Sequence, residues 1–253
     1  HPGANHYYIH AVEASNDPGR GLASAKALKD LVPAAGHLVH MPAHIYFRVG
    51  DYEGALDANL IAMRTDESYI EKHNPQGIYP VMYYNHNINF LSVSKMMEGK
   101  YSDAIKYANI IAGNVKPALS EMQMLEAFYA NPLMILLSFG KWDEIINYQE
   151  ADTAFILYSA LLHYSKGIAL AETGKSADAK SEQERFNWFR NKITEESLIG
   201  LTPAANIMNI CSDILTAKIA KAEDDRSKAI EYLKKAVNKE DLVNYDEPPD
   251  WYP

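Results

Sequence analysis

A short motif that begins with glycine recurs along the chain and strongly restricts what it can fold into. Each copy has a Gly, an aromatic or small residue two positions later, and Ala or Ile five positions after the Gly. Clear copies lie at 50–55, 99–104, 140–145 and 174–179. The glycine supplies the positive φ that ends one helix, the aromatic packs back on that helix, and the small residue lets a second helix approach closely. The motif therefore predicts a series of helical hairpins.

The spacing of these glycines indicates the length of the repeating unit. Successive motif glycines are 49, 41 and 34 residues apart, and 34 residues is the length of a tetratricopeptide repeat. Degenerate copies lie at 16–21 and 224–229, and the second keeps Ala229 but replaces the glycine. On these motifs the chain resembles the tetratricopeptide family over essentially its whole length. The resemblance implies an all-α fold of helical hairpins stacked in a right-handed superhelix.

We expect one repeat domain of about six hairpins. Their predicted bounds are 1–35, 36–80, 81–117, 118–152, 153–200 and 201–245. The segment 67–80, which contains Asn74-Pro75 and Gly77, is predicted to be a long loop. The chain begins with His1 rather than Met, and we expect it to be a processed or partial segment of a longer protein.

Composition excludes several classes of function. The chain has 253 residues, 24 basic and 33 acidic, for a net charge of −9, so nucleic acid is not an expected partner. No stretch reaches the ~20 apolar residues that a transmembrane helix needs. The single Cys211 cannot form an internal disulfide and is expected to be a buried thiol. Cysteine usage leaves the compartment open, and we favour a periplasmic or extracellular location over a cytoplasmic one.

Histidines cluster at helical spacing in two stretches. His6 and His10 lie four residues apart, with Glu13 three residues further on, and His40 and His44 repeat the spacing of four. Residues so spaced share a helix face, and a pair of imidazoles at i and i+4 can chelate one divalent ion. In a tetratricopeptide array both helices would line the concave groove.

These histidines predict a metal site. We expect His6, His10, His40 and His44 to converge, with His37, His86 and Glu13 as additional or second-shell ligands. His37 and His86 each lie 13 residues before a motif glycine. We therefore expect both residues to lie at the same height in the stack of hairpins. Neutral imidazoles favour zinc, copper, nickel or iron over calcium or magnesium. The alternative is a hydrogen-bonded polar core, and we expect that role for His163 and His73.

Pro42 lies between His40 and His44 and affects the helix that carries them. Inside a helix its ring would clash with the carbonyl of Leu38 and remove a hydrogen bond. Either the helix kinks there, or it begins at Pro42 and leaves His37 and His40 in the preceding loop. Both arrangements allow the imidazoles to point inward.

The two histidine stretches carry a second resemblance. The segments 1–10, HPGANHYYIH, and 40–46, HMPAHIY, are similar to a poorly characterised bacterial subfamily of tetratricopeptide proteins. The resemblance implies the fold and a shared polar groove, and it implies no reaction. Aromatic and amide residues around the same groove are candidate contacts for a peptide or small ligand: Tyr7, Tyr46, Tyr83, Tyr84, Asn85 and Asn89.

The sequence therefore favours a tetratricopeptide-type binding or assembly protein with a histidine-rich metal site in its groove. One alternative is a metal-dependent enzyme that uses Glu13 or Tyr46 as acid or base. Another is a purely structural, self-assembling repeat protein. We expect a protein or peptide partner in the groove and self-association through the end repeats, where 248–253 is proline-rich and aromatic.

Overall fold

The computed structural model describes residues 1–149, 152–243 and 245 and is predominantly helical. The all-α prediction is thus confirmed. Among the described residues, strand is limited to a two-stranded antiparallel pair, β1 (Leu198–Ile199) and β2 (Thr202–Pro203). The predicted proline-rich end at 248–253 lies outside the described residues. Whether the hairpins stack as a tetratricopeptide superhelix stays a prediction.

The chain falls into two compact units, His1–Val115 and Lys116–Pro253. The first unit contains seven α-helices: α1 (Pro2–Glu13), α2 (Leu22–Leu28), α3 (Gly36–His40), α4 (Pro42–Arg48), α5 (Tyr52–His73), α6 (Tyr84–Met97) and α7 (Tyr101–Val115). A 3-10 turn at Pro18–Gly21 precedes α2, and a π-helical turn at Tyr79–Tyr83 leads into α6.

The second unit contains the other α-helices of the described chain: α8 (Glu126–Tyr129), α9 (Asn131–Ser138), α10 (Trp142–Ile146), α11 (Ile156–Glu172), α12 (Ser176–Arg190), α13 (Ala204–Ala222) and α14 (Arg226–Glu240). Short 3-10 turns lie at Lys116–Ala118 and Gln123–Leu125. Helix α11 packs against α12 and α13, and α13 packs against α14. Cys211 is a free, fully buried thiol on α13, as predicted, and burial raises its pKa.

The turns that the repeated motif predicts have the expected backbone. The motif glycines all have positive φ: Gly50 at 81°, Gly99 at 72°, Gly140 at 62° and Gly174 at 78°. In the degenerate last copy, Asp224 takes the corresponding position with φ 61°. Each of these turns joins two helices, because a left-handed residue reverses the chain after the last helical turn. The sequence thus predicts the helix–turn–helix pattern correctly.

An apolar cluster joins α1 and α4, two of the helices that carry histidines in the first unit. Ile9 and Val12 on α1, Leu28 on α2 and Ile45 on α4 are buried together, with Met41 between α3 and α4. Burying such side chains contributes about 1.5–3 kcal/mol each. The cluster therefore fixes α1 against α4, and with them His6, His10 and His44.

The helix before the first motif glycine is broken at Pro42. Helix α3 ends at His40, Met41 has helical φ and ψ of −49° and −37°, and α4 starts with Pro42 as its first residue. Of the two arrangements that Pro42 allows, the structure has the interrupted helix, in which His37 and His40 are helical. Proline is favoured in the first turn of a helix, where no intrahelical donor is needed.

The predicted long loop at 67–80 is wrong over its first half. Helix α5 continues to His73, and Asn74 ends it in the left-handed conformation with φ 43°. Asparagine tolerates this conformation better than most residues. The connection to the next helical turn therefore takes only a few residues, and α5 is long enough to place Asn59 and Asp66 deep in the unit.

Among the described residues, no helix combines the length and the apolar character that crossing a bilayer requires.

Candidate metal centre

Six of the nine histidines of the chain gather in the first unit as two groups of three. The outer triad is His6, His10 and His37, and all three side chains are partly exposed. The inner triad is His40, His44 and His86, of which the first two are buried. Within each triad, one potential ligand nitrogen from each histidine lies within 4.8 Å of the others.

The grouping differs from the expected four-histidine site. His6 and His10 stay together on α1, but His37 from α3 joins them, whereas His40 and His44 meet His86 from α6. His37 and His86, predicted at one level, belong to different triads. Neighbouring packed helices cross at an angle, so equal distance from a motif glycine does not ensure equal height.

The inner triad brings its ring nitrogens very close together. Nε2 of His44 lies 2.6 Å from Nε2 of His40, and Nε2 of His86 lies 3.1 Å from the same atom. His40 and His44 are 0% and 1% exposed. Phe90 lies against all three rings, at centroid distances of 4.9, 4.9 and 5.3 Å. An apolar side chain thus lines the site where the nitrogens converge.

The opposite nitrogens of two inner histidines face hydrogen-bond acceptors. Nδ1 of His40 lies 2.7 Å from Oδ1 of Asn59, whose amide nitrogen donates to the carbonyl of Ala55 at 2.8 Å and so fixes the amide orientation. Nδ1 of His44 lies 2.7 Å from a carboxylate oxygen of Glu13. Because a carbonyl oxygen and a carboxylate only accept, both Nδ1 atoms carry the proton.

This tautomer leaves two lone pairs face to face. A neutral imidazole has one N–H, so in both His40 and His44 the Nε2 atom is an acceptor. Two acceptors 2.6 Å apart repel unless a cation lies between or beside them. A proton on Nε2 of His40 is disfavoured, because burial lowers the pKa of this residue well below 6.5 and the neighbouring His44 and His86 lower it further. The arrangement fits a metal ion.

The outer triad has the same construction with more exposure to solvent. Nε2 of His6 lies 3.1 Å from Nε2 of His10 and 3.1 Å from Nε2 of His37. Nδ1 of His10 lies 2.8 Å from the second carboxylate oxygen of Glu13. The His10 side chain is 28% exposed, so an ion in this triad would be open to solvent ligands.

Glu13 is the residue that connects the two triads. It is 3% exposed, and one carboxylate oxygen accepts from His10 while the other accepts from His44. The structure thus places it on the Nδ1 side of both rings, away from the Nε2 atoms that converge in each triad. Arg48 on α4 donates to the backbone carbonyls of Glu13 and Ser15. These bonds hold the end of α1 against α4.

Asn59 was not predicted as part of the site, although its position in the sequence carries a signal. On α5 the buried stripe runs through Ala55, Asn59, Ala62 and Asp66 at helical spacing. A polar side chain in such an apolar stripe needs a partner, and here the partner is His40. Donation of the second imidazole nitrogen to an oxygen acceptor is the usual way that proteins orient metal-binding histidines.

Asp66 forms a second buried network, which was not predicted from the sequence. One of its oxygens accepts from the Tyr79 hydroxyl at 2.7 Å and the other from the amide of Asn87 at 2.7 Å. Burial raises the pKa of Asp66, and the two hydrogen bonds act in the opposite direction. Gly36, at the start of α3, is buried directly against this carboxylate. The network therefore supports the helix that carries His37 and His40.

No protein-family model matches the chain, and comparison with curated proteins gives no match either. The chemistry of the site is thus the basis for assigning a function.

The aromatic candidates for a ligand groove have different environments. Tyr7 is 73% exposed and its ring lies 5.0 Å from that of His6, and Tyr83 is 46% exposed with its ring 5.9 Å from that of His37. Both tyrosines therefore flank the outer triad. Tyr46 instead packs, partly buried, against the apolar cluster of α1, α2 and α4.

The remaining groove candidates lie on α6. The Tyr84 hydroxyl donates to the carboxylate of Glu67 at 3.0 Å. Asn85 is buried, donates to the carbonyl of Val81 and accepts from Asn114, so it has a structural role. Asn89 is partly buried. Of the six candidates, Tyr7 and Tyr83 are the ones with substantial exposed surface beside the triads.

Two histidines outside the triads were expected to be structural. His163, on α11 in the second unit, lies with Nδ1 2.6 Å from a Glu182 oxygen and stacks on Phe189 at 5.4 Å. This confirms a hydrogen-bonded role for His163. His73 is instead an exposed residue at the end of α5, with its ring 4.9 Å from that of Tyr69, so the core role expected for it is wrong.

Proposed function

We propose that this chain is a transition-metal-binding protein of tetratricopeptide type, with its primary ion in the inner triad. The observation that carries the metal assignment is the 2.6 Å distance between the Nε2 atoms of His40 and His44, whose Nδ1 atoms both face acceptors. Several imidazoles buried with converging lone pairs are costly without a cation. The ion compensates for that cost.

The donor set determines which ions fit. Imidazole nitrogen binds zinc, copper, nickel and iron well, whereas calcium and magnesium prefer oxygen ligands. Three histidines and one open position form a common catalytic coordination pattern for zinc. The inner triad therefore fits zinc, copper, nickel or iron and leaves at least one coordination position for another ligand.

The surrounding helices supply the second part of the proposal, a binding or assembly role. Its support is the repeated hairpin motif with positive φ at its motif glycines, which is typical of tetratricopeptide scaffolds. Tyr7 and Tyr83 place exposed aromatic surface beside the outer triad, where a protein or peptide partner could pack. Self-association through the end repeats remains a prediction from the sequence.

A metal-dependent enzyme is the second candidate function. The partial exposure of the outer triad favours it, because a catalytic ion needs an open position that substrate can reach. Glu13 fits orientation of the ligands better than acid or base catalysis, since both of its oxygens accept from histidines. Tyr46 packs against the apolar cluster, and burial raises its pKa.

Metal titration of tag-free, chelator-treated protein tests the proposal. We expect zinc, copper, nickel or iron to bind and to raise the melting temperature, since an ion at 100 times its Kd adds about 2.7 kcal/mol to the free energy of unfolding. His44→Ala should abolish the tight site, whereas His73→Ala, an exposed control at the end of α5, should bind like wild type. Absence of stoichiometric binding by all four ions would refute the proposal.

A further inference from the structure

The two triads are close enough to act together. The rings of His10 and His44 have centroids 5.5 Å apart, and those of His37 and His40 are 6.0 Å apart. Each pair contains one histidine of each triad. Ions held by the two triads would therefore be neighbours, because imidazole rings of the two triads lie next to each other.

Glu13 supplies a direct chemical link between them. Its two oxygens accept from His10 at 2.8 Å and from His44 at 2.7 Å, so one carboxylate orients a ligand of each ion. Hydrogen bonds of this kind fix the tautomer and increase the basicity of the metal-binding nitrogen. A substitution of Glu13 should therefore alter the metal-binding nitrogens of both triads.

We propose that the six histidines form one dinuclear metal centre, coupled through Glu13 and completed by a small anion from solvent. This inference depends on the proposed metal site of the inner triad and adds a second ion in the outer triad. Three protein donors leave coordination positions open on each ion, and the outer triad is partly exposed. Six neutral imidazoles and the single carboxylate of Glu13 do not balance the charge of two divalent ions, which favours an anion such as hydroxide or azide as the remaining ligand.

Stoichiometry and matched variants test the centre. Zinc titration of the metal-free full chain, followed by calorimetry and elemental analysis, should give two ions per chain. His6→Ala, which alters the outer triad alone, and His86→Ala, which alters the inner triad alone, should each leave about one tight ion. One ion in wild type, unchanged in His6→Ala, would overturn the dinuclear centre while the primary site survives. No bound ion at all would refute the primary site as well.

Variants of Glu13 test the coupling. Glu13→Ala removes both acceptors and should weaken each ion by about 10–100-fold. Glu13→Gln keeps one acceptor oxygen, so at least one ion should be weakened while the fold is kept, as checked by circular dichroism. Glu71→Gln, an exposed carboxylate on α5, is the control and should bind as wild type does. A Glu13→Ala protein that is folded and loses affinity for only one ion, or for neither, would overturn the coupling.

Azide tests the solvent ligand. In the copper(II)-loaded full chain, we expect azide to produce a ligand-to-metal absorption band and to saturate with added anion. The same addition to His6→Ala should give a weaker change, because one ion of the pair is lost. A spectrum that azide leaves unchanged would overturn the anion part of the proposal.

Discussion

In the metal-free site, the burial of His40 opposes its protonation. It is fully buried, burial and three neighbouring imidazoles lower its pKa, and its Nδ1 atom faces an amide oxygen. In the unfolded chain the same imidazole would protonate near ~6.5. The folded state therefore binds fewer protons at this residue than the unfolded state does in mildly acidic solution.

The stability of the metal-free protein should accordingly depend on pH. Because the pKa of His40 is lowered in the folded state, the free energy of unfolding should decrease as pH falls below about 6.5. The decrease is up to about 1.4 kcal/mol per pH unit for one proton. Urea denaturation of chelator-treated protein between about pH 5 and pH 7 measures this slope. His40→Gln should have a shallower slope, and the exposed control His73→Gln should keep the wild-type slope. Equal slopes in wild type and His40→Gln would contradict the assignment.

At the same scale, helical spacing predicted part of the site. The pairs His6 with His10 and His40 with His44 each share a face and come together as expected. The division into two triads could not be predicted, because it depends on how α1, α3 and α6 are packed. The role of Asn59 was also missed, since a lone polar residue in an apolar stripe does not reveal its partner.

Helix α3 is the element on which both triads depend, because it carries His37 and His40. It is only five residues long, so its own hydrogen bonds cannot hold it in place. It packs on α5, and its first residue, Gly36, lies against the Asp66 carboxylate, which Tyr79 and Asn87 hold. Close packing at the first residue of α3 thus sets the geometry of the metal site.

Substitution of Gly36 tests this dependence. A Cβ atom there would lie 1.8 Å from Oδ1 of Asp66, so α3 or the carboxylate must move. We expect Gly36→Ala to lower the free energy of unfolding by about 1–3 kcal/mol and to weaken zinc binding. Gly113→Ala on α7 is the matched control, because its Cβ would meet nothing within 4 Å and alanine favours a helix by about 0.5–1 kcal/mol. Urea denaturation and zinc titration that give Gly36→Ala wild-type values would contradict this account.

At the element scale the repeated motif was the most informative part of the sequence. It predicted where the helix-ending residues with positive φ lie, because this backbone requirement is local. The length of α5 was not predicted, since Asn74-Pro75 and Gly77 all favour a turn and only Asn74 marks where the helix stops. The broken helix at Pro42 was one of two arrangements that local sterics allowed.

At the scale of the whole molecule, the candidate site belongs to the first compact unit, His1–Val115. Three segments distant in sequence supply its ligands, from α1, from α3 with α4, and from α6. An ion that joins such segments would stabilise the folded state, because the unfolded chain does not hold the six imidazoles together. Metal binding and folding of this unit should therefore be linked.

Anomalous X-ray diffraction from crystals of the zinc-loaded chain would show whether the two triads hold metal ions. Data collected on both sides of the zinc absorption edge locate the ions without assumptions about the ligands. We expect two anomalous peaks, one bound by Nε2 of His40, His44 and His86 and one by Nε2 of His6, His10 and His37, at distances of about 2.0–2.1 Å. Zinc bound elsewhere, with no peak among the histidines of the inner triad, would contradict this prediction.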